Sequence, residues 1–215
     1  MARRSKGGHP VFARLYARVA GPALERAGGD KHRRRLLAGL SGTVIEVGAG
    51  NGLNFPHYPP QVSRVVAVEP EPRLRALAAV AAHRVAVPVT VTGGLAEALP
   101  APDGAFDAAV ACLVLCSVTD QRAALTEMRR VLRAGGELRF FEHVQAGTQG
   151  KRRVQRCVDA TFWPRLCGGC HTGRDTTAAV DAAGFVLNDL DRFRFPDSGL
   201  FLPAADHVLG TAVRP

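Results

Sequence analysis

Apolar residues follow two rhythms along this chain. Residues 44–47, 64–70, 88–92, 106–114 and 137–144 are short runs rich in Val, Ala and Phe, the pattern of strands buried on both faces. Between them the apolar positions fall at helical spacing. Residues 72–82 read as an Ala/Leu-rich helix. Ala124, Leu125, Met128, Val131 and Leu132 give 120–133 one apolar stripe, with Ala134-Gly135-Gly136 as its expected stop. Segments 151–166 and 174–183 read as two more helices, the first basic-faced, the second closed by Gly184. Residues 185–195 and 207–213 supply two last strands with no helix between them, so they pair antiparallel at one edge. Ahead of the first strand, Val11, Phe12, Leu15, Tyr16 and Val19 form one helical face that Gly21-Pro22 should end, and Leu36, Leu37 and Leu40 continue a second helical piece. The alternation predicts one α/β domain over residues 1–215: an open, doubly wound, seven-stranded sheet, mostly parallel with an antiparallel last strand, and N-terminal helices over its mouth.

The chemistry gathers at the end of the first strand. Gly48, Gly50 and Gly52 make a turn whose backbone a ligand can approach closely, at the carboxyl end of a sheet. A dinucleotide fingerprint would place a third glycine where Leu53 stands, and no Gly-Lys-Ser/Thr follows for a phosphate loop. Glu46, just before the turn, would repel a pyrophosphate and suits a cationic amino group. Glu69 ends the second strand, 21 residues after Gly48. In a doubly wound sheet that puts its carboxylate beside the turn, where it can accept from two ribose hydroxyls. A ligand with ribose, an amino group and no phosphates fits both acids, and S-adenosylmethionine is such a ligand. The competing reading is a ligand-free turn with two incidental acids.

Charge and cysteine content narrow the classes further. The chain has 215 residues and a net charge of +9. Residues 1–40 hold ten Lys/Arg against Glu25 and Asp30, so nearly the whole excess lies in the N-terminal arm. Such an arm reads first as a solvated, partly disordered, Arg-rich helical face, and it also suits peripheral contact with an anionic membrane. Nucleic acid is disfavoured, because no aromatic-interleaved motif accompanies the charge. No apolar run reaches the length of a membrane span and the N-terminus lacks a signal-peptide core, so a cytoplasmic protein is expected. Five cysteines, an odd number, argue against a disulfide framework. Cys167-Gly-Gly-Cys170 has CxxC spacing with His171 beside it, but without a second pair no metal site is expected. Nothing in the sequence speaks to oligomeric state.

The ordered segments Glu-Val-Gly-Ala-Gly-Asn-Gly (46–52), Val-Glu-Pro (68–70), Ala-Glu-Ala-Leu-Pro (96–100), Asp-Gly-Ala-Phe-Asp (103–107) and Glu-Met-Arg-Arg-Val-Leu-Arg-Ala-Gly-Gly (127–136) resemble the motifs of class I S-adenosylmethionine-dependent methyltransferases. Asn-Phe-Pro-His-Tyr-Pro-Pro (54–60), Leu-Val-Leu-Cys-Ser-Val (113–118), Glu-His-Val (142–144) and Gly-Cys-His-Thr-Gly-Arg (169–174) are similar to bacterial relatives of the alkyl-thiol methyltransferases of animals. The resemblance implies a Rossmann-like fold, with residues 1–9 disordered, 10–42 a helical cap, 43–144 the cofactor-binding core and 145–215 an acceptor-side segment. It implies S-adenosylmethionine as methyl donor and S-adenosylhomocysteine as product. It places cofactor contacts at Tyr16, Glu46, Gly48, Gly50, Asn51, Gly52, Glu69, Pro70, Ala96, Glu97 and Cys112. Glu46 would orient either the turn or the methionyl amine. Glu97 would lie beside adenine or cap a helix start. Leu95 stands where quinone- and sterol-type relatives carry an Asp.

The implied reaction is methyl transfer to a small, apolar acceptor, with a thiol favoured. A thiol must ionise from a pKa of about 8.5, so a nearby base or cation would help. His143 and His171 are the candidates for that role, each also readable as a structural hydrogen-bonder. Cys112 and Cys116 are readable as small buried hydrophobes, and Trp163 as part of an acceptor pocket. Methylation at oxygen, carbon or nitrogen of a quinone, phenol, lipid amine or secondary metabolite is the enzymatic rival. A binding or adaptor protein on the same fold is the rival of another class.

Overall fold

The computed structural model describes residues 10–196 and 202–215. The expectation for residues 1–9 lies outside them. The apolar runs become seven strands: β1 (Gly42–Val47), β2 (Val62–Val68), β3 (Val89–Thr92), β4 (Phe106–Cys112), β5 (Leu132–His143), β6 (Val186–Arg194) and β7 (Asp206–Val213). They form one sheet in the order β3-β2-β1-β4-β5-β7-β6. The first five are parallel, and β7 runs antiparallel between β5 and β6.

Alternate residues of the central strands face opposite cores. Ile45, Val47, Ala109, Ala111, Leu138 and Phe140 pack on one side, with Leu125 and Met128. Val44, Val65, Ala67, Ala108, Val110 and Phe141 pack on the other, with Leu36, Leu37 and Phe55. Burial on both faces is why these strands read as continuous apolar runs. The covering helices are α1 (Pro10–Leu15), α2 (Gly21–Arg26), α3 (Gly29–Leu37), α4 (Pro72–Ala82), α5 (Gln121–Val131), α6 (Gln149–Ala160), α7 (Trp163–Leu166) and α8 (Thr176–Ala182). Among the described residues no helix is long and apolar enough to cross a membrane.

The structure departs from the sequence pattern at four places. Gly21-Pro22 does not end the first helix. A π-helical turn, Tyr16–Ala20, joins α1 to α2. Pro22 sits in the first turn of α2, where its missing N–H is not needed. Ala134-Gly135-Gly136 does not cap α5: the chain is already extended at Leu132, and residues 133–136 bulge out of β5 while Leu132 pairs with Phe106 and Glu137 with Ala108. The end of α5 is held instead by Arg214, whose Nη1 donates to the Arg129 and Arg130 carbonyls at 2.9 and 3.3 Å and also to that of Leu132. The segment 151–166 splits into α6 and α7, since Pro164 has no N–H to continue α6. The fourth strand stops at Cys112, because Leu113 adopts φ 59° and turns the following amides inward.

Candidate active site

The site forms where β1, β2 and β4 end. Gly48 and Ala49 donate their N–H groups to the Val68 carbonyl at 2.8 and 3.1 Å, tying the glycine turn to β2. Gly48 has φ 69°, and a Cβ there would lie 2.4 Å from Val114 Cγ2, so glycine is what lets the loop after β4 come close. Gly50, at φ 58°, has an open face: the atom nearest to its absent Cβ is Tyr16 Cε1, at 3.8 Å. That face looks into a cavity of about 210 Å³. Phe12 and Tyr16 of the N-terminal helix and Gly168, after α7, close the cavity from above. Phe12 packs so tightly on Gly168 that a Cβ there would meet its ring at 2.5 Å.

Of the residues expected at a cofactor, Tyr16, Gly48, Gly50, Glu69, Pro70, Ala96, Glu97 and Cys112 line this cavity. Glu69 is 5% exposed. Its Oε2 accepts from Gly50 N at 2.8 Å and its Oε1 from Glu71 N at 2.9 Å. Burial pushes its pKa up, against those two amides. A carboxylate has roughly four acceptor positions, so Glu69 keeps capacity for hydroxyls. Arg75 donates to the Glu69 and Pro70 carbonyls at 2.9 and 3.1 Å and fixes this corner. Glu97 Oε1 accepts from Thr119 N and Asp120 N at 2.9 and 3.2 Å, so it holds the entry to α5 while lining the cavity.

Glu46, Asn51 and Gly52 do not line the cavity. Of the two roles expected for Glu46, the turn is the one its contacts serve. It is buried, and its oxygens accept from Asn54 Nδ2 and Tyr58 OH, both at 2.8 Å. It therefore orients the turn, and the Asn54–Tyr58 motif is its partner. Burial raises its pKa to about 7, against both hydrogen bonds and the charge of Arg33. Gly52 packs on Phe55 and shapes the turn. Asn51 Oδ1 is buried and has no partner among the described residues.

Arg33 is the residue that sequence reading missed. It is only 4% exposed, although it belongs to a basic run that looks like a solvated face. Its Nε donates to Glu25 at 2.9 Å, and its Nη1 to Asn54 Oδ1 at 2.8 Å and Cys112 Sγ at 3.1 Å. It thus links the N-terminal helices, the glycine turn and β4 behind the cavity wall. Cys112 accepts that bond as a neutral thiol, since burial pushes its pKa to about 11. The only sequence signal was the spacing of Arg33 from the buried Leu36 and Leu37.

The loop after β4 is assembled around Glu142. Its fully buried carboxylate collects the amides of Val114 and Leu115 at 2.9 Å and of Cys116 at 3.1 Å. Arg174 closes the same loop by donating to the Leu115 and Val118 carbonyls, both at 2.7 Å. His143 and His171, read as catalytic candidates, do not line the cavity, and neither does Trp163. His143 Nδ1 lies 3.3 Å from Cys116 Sγ and 3.6 Å from Cys170 Sγ. Burial lowers the His143 pKa, but the hydrogen bond and charge of Cys170, with Glu142, outweigh it and the net direction is up. His171 Nδ1 meets the Gly169 carbonyl at 2.8 Å, and its backbone N–H donates to the Cys116 carbonyl at 2.8 Å. In this geometry both histidines make their contacts outside the cavity lining.

Comparison with known proteins places this geometry. Residues 45–140 match the model of a methyltransferase domain family. Thiol S-methyltransferase TMT1B of Homo sapiens is 35% identical over 184 residues, spanning 83% of this chain and 74% of that protein. The chain belongs to the class I S-adenosylmethionine-dependent methyltransferases. A shorter match, 53% identical over 71 residues, joins this methyltransferase to the ubiquinone/menaquinone biosynthesis C-methyltransferase UbiE of Xanthomonas oryzae pv. oryzae, covering 33% of this chain and 28% of that one. A solved geranyl diphosphate methyltransferase in complex with SAM superposes with a TM-score of 0.69 at 16% identity, over 98% of this chain and 93% of that one. The cofactor is S-adenosylmethionine, and the open face of Gly50 beside the unsaturated Glu69 carboxylate fits its ribose and methionyl parts.

Proposed function

We propose that this methyltransferase methylates a small, apolar thiol. The observation that carries the reading is the extent of the likeness to a thiol S-methyltransferase: 184 residues, far beyond the matched core of 45–140. The walls beside the glycine turn agree with an apolar acceptor, since Phe12, Leu95, Leu113, Val114 and Val118 surround the space next to Gly48 and Gly50.

In this reading Glu69 takes the ribose hydroxyls, Gly48 and Gly50 meet the methionyl part through their backbone, and Ala96 with Glu97 flank adenine. Tyr16, held near Arg33, closes over the methionyl end. The sulfonium methyl is already activated when the cofactor is bound, so the chain's task is to align a nucleophile and exclude water. Among the described residues that line the cavity none is a histidine, and in this reading thiol ionisation falls to solvent or to the acidity of the acceptor itself. Thiolate availability then sets the rate below pH of about 8.5, the ordinary thiol pKa. The short match to UbiE supports a second reading, transfer to carbon of a quinone-like ring.

Labelled S-adenosylmethionine incubated with alkyl thiols, quinones, phenols and amines tests the proposal. Label appearing in thioether products supports it. Label appearing only in carbon, oxygen or nitrogen products contradicts it. Binding of cofactor without transfer to any acceptor would favour an adaptor role.

A further inference from the structure

Cys116, His143 and Cys170 come from three separate segments: the loop after β4, the end of β5 and the turn after α7. Their side chains nevertheless converge, with one ligand atom from each within 4.8 Å of the others. The two His143 Nδ1 to sulfur distances are 3.3 and 3.6 Å. A tetrahedral zinc ion, with Zn–S of about 2.3 Å and Zn–N of about 2.0 Å, sets a sulfur and a nitrogen ligand ~3.5 Å apart. Both nitrogen–sulfur spacings thus already match those of a soft divalent cation.

The surroundings are built as a metal site requires. Cys116 and Cys170 are 1% and 5% exposed. The backbone of Cys116 is locked on both sides, by Glu142 at its N–H and by His171 at its carbonyl. The His207 ring packs on His143 with centroids 4.6 Å apart. Its Nδ1 lies 2.9 Å from the Ala205 carbonyl and so carries the proton, which leaves Nε2 an acceptor. That Nε2 is buried with no partner among the described residues. Water or hydroxide on a metal at the fourth position is the kind of donor this nitrogen lacks.

We propose that Cys116, His143 and Cys170 bind one zinc-class divalent cation, with a fourth position left to a non-protein ligand. Binding releases the two thiol protons to solvent and takes neutral His143 through Nδ1, so two thiolates balance the ion's charge. The site ties the loop after β4 to β5 and to the α7–α8 connection, behind Ser117 and Gly168 of the cavity wall. Its ligand set differs from the CxxC pair evident in the sequence: Cys170 is shared, but Cys167 and His171 stand outside it. The inference does not depend on which acceptor is methylated.

The test is metal content of the full-length protein purified without chelator from zinc-supplemented medium, with cobalt titration of the metal-stripped protein alongside. The expected result is about one zinc per chain, with cobalt giving thiolate charge-transfer absorption and the strong visible bands of a tetrahedral site. C116S/C170S should lose both signals, whereas C157S and C167S keep them. If the double variant does not fold, the cobalt spectrum of the wild-type protein decides alone. Absence of zinc together with an octahedral-type cobalt spectrum overturns the proposal. So does zinc retained in a folded C116S/C170S, or a Cys116–Cys170 disulfide as the sole resting state under anaerobic purification.

Discussion

The two halves of the sheet's carboxyl edge are built by different means. On the donor side, the partners are near in sequence: Glu46 holds Asn54 and Tyr58, and Glu69 holds Gly50 and Glu71. Around the loop after β4 they are far apart. Glu142 holds residues 114–116, and Arg174 holds 115 and 118. Glu46 therefore shapes a local turn, and Glu69 does so while keeping capacity for a ligand. Glu142 is consumed in holding the loop after β4 together. The two halves should respond differently to loss of one acid.

The largest effect is expected at Glu142. Glu142→Ala leaves three inward-facing amides without acceptors, each worth about 1–3 kcal/mol when buried and unsatisfied. Denaturant unfolding should show a loss of about 3 kcal/mol or more. A loss under about 1 kcal/mol would mean the loop after β4 repairs itself and the comparison fails. Glu69→Ala should act on the ligand instead. Calorimetry with S-adenosylhomocysteine should show at least about a tenfold weaker Kd, as expected for lost hydrogen bonds to a charged group, with melting shifted by only a few degrees. Unchanged affinity would remove Glu69 from the cofactor site.

A smaller effect separates Glu46 from both. Its folded-state pKa of about 7 lies above its ordinary 4.5 because it is buried, against the Tyr58 and Asn54 bonds and the charge of Arg33. The native state therefore holds an extra proton between those values. This contribution to stability is complete below about pH 4.5 and is lost as pH rises through about 7. Glu46→Gln, always neutral, should flatten the fall in unfolding free energy across that window. An unaltered slope would show that Glu46 is already ionised in the folded protein.

The same contrast explains what could be read from the chain. Strands buried on both faces announced themselves as runs of Val and Ala, and the glycine turn with Glu69 at the next strand end could be placed by spacing alone. Helix ends were less legible. Gly21-Pro22 and Ala134-Gly135-Gly136 look like stops, but a π-helical turn carries the chain past the first, and Arg214, 85 residues beyond Arg129, holds the end of α5 before the second. Glu46 was left between the turn and the ligand because its distance from Tyr58 in space is invisible in sequence. Arg33 was hidden within a basic run, and Cys116, His143 and Cys170 within three unrelated motifs. Each of these misses depends on long-range packing that has no local signature.

Hydrogen–deuterium exchange with and without S-adenosylhomocysteine tests most directly whether the cavity between the ends of β1, β2 and β4 is the methyl-donor site. Added ligand should slow exchange at residues 48–54, 69–74 and 94–97 and in the N-terminal helix around Tyr16, while 144–160 and 185–195 stay unchanged. Protection confined to residues 144–160 and 185–195, or no protection at the glycine turn, would contradict that assignment.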